Sequence, residues 1–239
     1  MRQRICAALI CATGLLIAHA AAQEVTLSAR VKVIDNDRNS ESLHAENVVV
    51  WLVPIGAQPT TKFVPKQPLV LVQHNKSFEP HLLVVPVGAV VRFPNRDTFF
   101  HNVFSLFEGK RFDLGLYEAG TTRNVSFDRP GISYIFCNIH AEMSAIVIAL
   151  DTPYYGISNR KGEIIIPQVP VGHYTLKVWS ETALPENLNA LTHEITVSDG
   201  SSSLGVLQIT AGMVSTAHKN KFGMDYEPPA PNSPGYQQP

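Results

Sequence analysis

The sequence predicts an all-β protein, on three observations. Apolar and polar residues alternate through Val25, Leu27, Ala29, Val31 and Val33, the period-two pattern of a half-buried strand. Apolar runs elsewhere are short and bounded by Pro, Gly, Asn and Asp, as strands are. No window carries a convincing 3.6-residue helical period, and no tandem repeat is present.

The elements follow in order. A strand is predicted at 25–33, and a polar stretch, 35–46, interrupts it. Residues 48–53 are wholly apolar and read as a buried strand, and 56–61 as a loop. Strands follow at 69–73, 81–85 and 89–93, the last two joined by the turn Pro86-Val87-Gly88. Pro94-Asn95-Arg96-Asp97 is a loop signal. A strand at 124–127 meets the tight turn Asp128-Arg129-Pro130-Gly131. Residues 132–136 form a strand into the loop that begins at Cys137, and 144–150 the strand that leaves it.

Beyond Asp151-Thr152-Pro153 the character changes. Asn159-Arg160-Lys161-Gly162 reads as a hairpin turn, and strands are expected at 164–166, 174–179, 193–197 and 204–209, with 167–172 a connection. Residues 219–239 have little apolar content and end Pro-rich, so they read as a disordered tail.

The N-terminus reads as an export signal at 1–22. Arg2 and Arg4 give the positive start, 5–17 the apolar run and 18–22 the small-residue cleavage region. The apolar run is short for a bilayer span and no second long run follows, so no transmembrane segment is expected. Cleavage after Ala22, or after Ala20 close by, removes two bases and no acid, which leaves 17 basic against 20 acidic residues and a charge of −3. That balance is no nucleic-acid footprint. Cleavage also removes Cys6 and Cys11, so Cys137 is the one remaining thiol. Exported proteins usually pair their cysteines, and a lone one needs another occupation or burial.

The occupation is indicated by spacing. Cys137-Asn138-Ile139-His140-Ala141-Glu142-Met143 sets a thiol, an imidazole and a thioether three residues apart on one loop, and His101 supplies a second imidazole from 36 residues upstream. Alone, a buried Cys, a His or a Met is ordinary core or surface. Together, two His, one Cys and a weak axial Met form the ligand set of a one-electron copper site. The predicted metal ligands are His101, Cys137, His140 and Met143, for one type 1 copper per chain. His74 and His81 have no acidic cluster or His-x-His pair beside them, so a second site is not expected there.

Residues 63–150 resemble the cupredoxins, closest to amicyanin and plastocyanin. The matching blocks are Phe93-Pro94-Asn95-Arg96-Asp97-Thr98-Phe99-Phe100-His101-Asn102-Val103, Phe127-Asp128-Arg129-Pro130-Gly131 and 137–143, in that order. The resemblance implies a Greek-key β-barrel or sandwich. It also implies that Asn102, beside the ligands, ties the two ligand loops together, and that His140 is partly exposed at an apolar end with Pro94, Ile139 and Ala141 around it. Residues 162–179, Gly162-Glu163-Ile164-Ile165-Ile166-Pro167-Gln168-Val169-Pro170-Val171-Gly172-His173-Tyr174-Thr175-Leu176-Lys177-Val178-Trp179, resemble the carboxypeptidase regulatory-like module, a small transthyretin-like β-sandwich. That implies packing or docking at 151–212 and no peptidase activity. Two placements stay open for 24–56: completing that sandwich, with 63–150 inserted, or joining the barrel.

Three function classes compete: electron carrier, copper enzyme, and copper delivery or structural docking. Copper enzymes of this kind place a His directly before the ligand Cys, where this chain has Phe136. Four protein ligands also leave no open position for substrate, so a non-enzymatic carrier in the periplasm is expected. A resemblance to proteins labelled methylamine utilisation protein implies a cytochrome or dehydrogenase as redox partner.

Overall fold

Wholly apolar stretches such as 48–53 become strands that are buried on both faces, and this property organises the molecule. The computed structural model describes residues 23–34, 45–56, 63–106, 108–212 and 218–226. The expected export signal at 1–22 lies outside the described residues, as do most of 35–46 and 56–61 and the Pro-rich end from 227.

In chain order the strands are β1 (Glu24–Ile34), β2 (Val49–Pro54), β3 (Val72–His74), β4 (Ser77–Glu79), β5 (Leu82–Pro86) and β6 (Ala89–Pro94). Then come β7 (His101–Ser105), β8 (Phe112–Tyr117), β9 (Thr122–Phe127), β10 (Gly131–Cys137), β11 (Ser144–Leu150) and β12 (Tyr155–Ile157). β13 (Glu163–Pro170), β14 (Gly172–Trp179), a short helix α1 (Pro185–Ala190), β15 (His193–Val197) and β16 (Ser203–Thr210) complete it. The protein is all-β, as the alternation predicted.

Two groups of sheets have separate cores. β13-β1-β16 and β12-β2-β14-β15 enclose Leu27, Val31, Val50, Leu52, Ile164, Tyr174 and Ile209. β5-β11-β10-β7-β8, with the pairs β6-β9 and β3-β4, enclose Leu83, Phe93, Val103, Phe127, Val147, Cys137 and Met143. The N-terminal strands pair with the C-terminal ones: β1 runs antiparallel to β13 and parallel to β16, and β2 lies between β12 and β14.

A third apolar cluster joins the two groups. Val49 and Trp51 on β2, Tyr155 and Trp179 meet Leu82, Val84, Ile146, Ile148 and Leu150. Alternation along β2 therefore sends Val50 and Leu52 to one core and Val49 and Trp51 to the other side. β11 behaves likewise, with Ala145, Val147 and Ala149 facing Cys137's core and Ile146 and Ile148 facing the junction. Strands buried on both faces need a continuous apolar run, which is what both sequences carry.

Several local expectations are corrected. Residues 167–172 are not a plain connection, because β13 extends to Pro170 and β14 starts at Gly172. Among the described residues β13 pairs only with β1, so Pro167 and Pro170 sit on an edge strand where a missing N–H is tolerated. A helix is present at α1, with Pro near its start. Within the expected disordered tail, 219–226 are packed against the Cys137 loop.

Candidate metal centre

Neighbouring strands bring the predicted ligands together. β10 pairs with β7 so that Phe136 opposes Phe104 and Cys137 opposes Val103, two residues from His101. Alternation points Cys137 into the core and Phe136 to the other face. The chain then closes a tight loop. The Cys137 N–H donates to the Met143 carbonyl at 3.2 Å, and the Met143 N–H to the His140 carbonyl at 3.2 Å. The Asn138 N–H donates to the Asn102 carbonyl at 2.8 Å, binding this loop to β7.

Cys137 Sγ lies 3.6 Å from His101 Nδ1 and 3.5 Å from His140 Nδ1. The three donor atoms form the metal-capable group found among the described residues, all buried. A metal bonded to sulfur and nitrogen at about 2.0–2.3 Å holds them roughly 3.6 Å apart at tetrahedral angles. The observed spacing therefore fits an ion between them. Met143 is fully buried in the same core as Cys137. The donor set of imidazole and soft sulfur selects copper over hard cations.

Each imidazole is prepared for this use. The His101 Nε2–H donates to Asp97 Oδ2 at 2.8 Å, which leaves Nδ1 with its lone pair toward the sulfur. Asp97 is itself held by the Asn75 N–H at 2.6 Å and the Lys76 N–H at 3.1 Å. Its own N–H donates to Asn95 Oδ1. Burial works to raise the Asp97 carboxyl, but the Lys76 N–H, His101 and the Asn75 N–H outweigh it and keep it low. Burial lowers His101 in spite of Asp97. Burial, and then the neighbouring His101, push His140 down to about 4. Burial raises the Cys137 thiol, opposed by the N–H groups of Ile139, Asn102 and His140.

His140 departs from its expected exposure. Only 4% of it reaches solvent, and Phe99 covers it at 5.4 Å while also meeting His101 at 5.2 Å. A single aromatic ring thus closes the end of the site over both imidazoles. Asn102 ties the loops through its backbone, while its side chain donates to Asp113 Oδ1 at 2.6 Å. His81 serves elsewhere, pairing with Glu181 at 2.7 Å, and His74 lies 3.9 Å from Glu79.

Sequence reasoning missed the residues that clasp the loop from outside. Tyr226 Oη donates to the Cys137 carbonyl at 2.6 Å, and the Lys221 N–H donates to Asn138 Oδ1 at 2.9 Å. The available signal was the run of bases and aromatics through Lys219, Lys221, Phe222 and Tyr226, which is unlike the Pro-rich residues after it.

No family model matches this chain, and no curated protein does. Among solved structures, the chain is similar to a purple cupredoxin from Nitrosopumilus maritimus, at 22% identity over 34% of this chain and 98% of that one, TM-score 0.31. It is similar to a reduced mutant of amicyanin at 21% identity over 36% of this chain and 86% of that one, TM-score 0.33. A copper-containing nitrite reductase from Thermus scotoductus matches at 21% identity over 50% of this chain and 28% of that one, TM-score 0.34. Fold and site together define an all-β protein with a buried His-Cys-His group.

Proposed function

We propose that this protein is an exported one-electron carrier in which His101, Cys137, His140 and Met143 hold one type 1 copper. One observation carries the reading: the Cys137 thiol is buried, free of any disulfide, and faced at 3.5 and 3.6 Å by two imidazole nitrogens. Bound copper supplies the one-electron couple. The chain's part is to hold the ligands in one shape for both oxidation states. Asp97 orients His101, the 137–143 loop is closed by its own backbone bonds, and Phe99 keeps water off the imidazoles. A fixed site needs little rearrangement when the electron moves.

The division of labour follows the pairing. Residues 63–150 form the redox body, and 24–56 with 151–212 form a second sandwich for docking, with the redox body inserted between them. The signal-like residues 1–22 support a periplasmic location, where a cytochrome or dehydrogenase would serve as partner. Exposed Phe100 and Leu116 lie next to His101 and opposite Asn102, and offer such a partner apolar surface beside the site.

The test is the visible and electron spin resonance spectra of the mature protein with Cu(II), beside Cys137→Ser. An intense thiolate-to-copper band with narrow hyperfine splitting, absent from the variant, supports the carrier. A protein showing only weak, ordinary Cu(II) signals overturns it and leaves the alternative of copper delivery or docking.

A further inference from the structure

We infer that residues 218–226 are a strap that presets the shape of the Cys137–Met143 loop, with Tyr226 and Lys221 as positioning residues for it. The strap builds its own turn first. Asn220 Oδ1 accepts the N–H of Phe222 at 2.9 Å and of Met224 at 3.1 Å, and the Gly223 N–H returns to the Asn220 carbonyl at 2.9 Å. Gly223 takes a left-handed φ of 79°, which favours glycine there.

The turn then grips three consecutive residues at the entry to the loop. His218 stacks on the Phe136 ring at 4.1 Å, with the planes 25° apart. Tyr226 Oη donates to the Cys137 carbonyl, and the Lys221 N–H to the Asn138 side chain. Tyr226 meets His218 edge-on at 5.2 Å, so the two side chains brace each other. Lys221 Nζ also reaches Asp113 Oδ2 at 2.8 Å, while Asp113 Oδ1 accepts from Asn102 beside His101. The strap therefore links the Cys137 segment, β8 and β7 from outside, where neither sandwich core reaches. Cys137 is held on both sides, by Met143 and Asn102 within its own body and by Tyr226 across it.

The strap itself is independent of metal, and its consequence for metal retention rests on the copper reading. Two full-length variants test it: Tyr226→Phe, and Tyr226→Phe with Lys221→Ala, which removes the Nζ contact to Asp113 and leaves the backbone N–H on Asn138. The metal-free proteins are followed by hydrogen exchange, then loaded with copper for spectra and for extraction by a chelator. Losing one such bond frees the loop on the order of tenfold. The expected result is about tenfold faster exchange at the Cys137, Asn138 and Met143 amides, unchanged exchange in β1 and β14, and about tenfold faster copper extraction. The Cu(II) spectrum shifts with it, and Lys221→Arg in place of Lys221→Ala, which keeps a cation for Asp113, recovers part of the protection. Loop exchange within twofold of the unaltered protein overturns the strap, even where copper binds normally. Faster loop exchange in a protein that binds no copper supports the strap and overturns the copper reading alone.

Discussion

Asp97 decides which nitrogen of His101 faces Cys137. Its Oδ2 takes the Nε2–H at 2.8 Å, and His101 Nδ1 is left 3.6 Å from the sulfur. Four residues separate Asp97 from His101 in sequence, and the backbone N–H groups of Asn75 and Lys76 keep the carboxylate from turning away.

Removing this carboxylate should loosen the metal without removing a ligand. Outer hydrogen bonds of this kind are worth about 10- to 100-fold in metal affinity. We expect Asp97→Ala to weaken copper binding by that range, measured by chelator competition, while the thiolate-to-copper band persists. Affinity unchanged within twofold would mean that packing alone orients His101.

Metal binding should release one proton near neutral pH. Burial keeps both imidazoles neutral in the empty site, so neither has a proton to lose, whereas burial holds the Cys137 thiol protonated. Titrating the metal-free protein with Zn(II) at pH 7 in two buffers of different ionisation enthalpy gives the count directly. A release of two or more protons would show an imidazole that is charged before the metal arrives.

The metal-free protein should lose stability on mild acidification. In the unfolded chain His140 takes a proton near its ordinary 6.5, but in the fold it resists down to about 4. Between those values the unfolded state binds more protons, so stability falls as pH falls. His101, also lowered, acts in the same direction. His81 is raised by its bond to Glu181, so its contribution is already complete below 6.5 and does not oppose the trend. The loss should be on the order of 3 kcal/mol by pH 4, read from urea midpoints. Bound metal should raise stability at neutral pH and make the fall on acidification steeper, because protons compete with it for the ligands.

The predicted ligand positions were legible because they are local. Three fall on one seven-residue loop, and the fourth lies beside turn residues that mark a loop end. The two-sided burial of 48–53 and 144–150 was also legible as unbroken apolar runs. β8 was not, because Gly115 at φ 66° and the register shift opposite Asn102 and Phe104 break its alternation. α1 is too short to show a period. The exposure of His140 was misjudged because the ring that covers it, Phe99, belongs to the other ligand segment. The strap was missed because its grip consists of single hydrogen bonds and one stacked ring, which leave no hydrophobic pattern.

The pairing of β1 and β2 with strands beyond 155 makes a prediction about independence. Gly162 sits at φ 73°, and a Cβ there would lie 2.4 Å from the Val31 carbonyl oxygen and 3.1 Å from the Ala45 Cβ. Its own carbonyl accepts the Val31 N–H at 2.7 Å, so the close approach is part of how β1 meets the β13 hairpin. Gly162→Ala must displace that backbone and adopt a strained φ, a cost on the order of 1–3 kcal/mol. The damage falls within the sheets that hold β1 and β13. The Cys137 core contains none of these residues, and the two bodies meet at the cluster around Val49, Trp179 and Ile148 and at the His81–Glu181 pair, all away from Gly162. The variant should therefore melt at a lower temperature in its first transition, while its Cu(II) spectrum at 25 °C matches the unaltered protein. Proteolysis between 57 and 62 should likewise leave 24–56 bound to the 155–210 strands. A copper spectrum that collapses with Gly162→Ala, or a fragment 24–56 that elutes with 63–150 alone, would show that the two bodies fold as one.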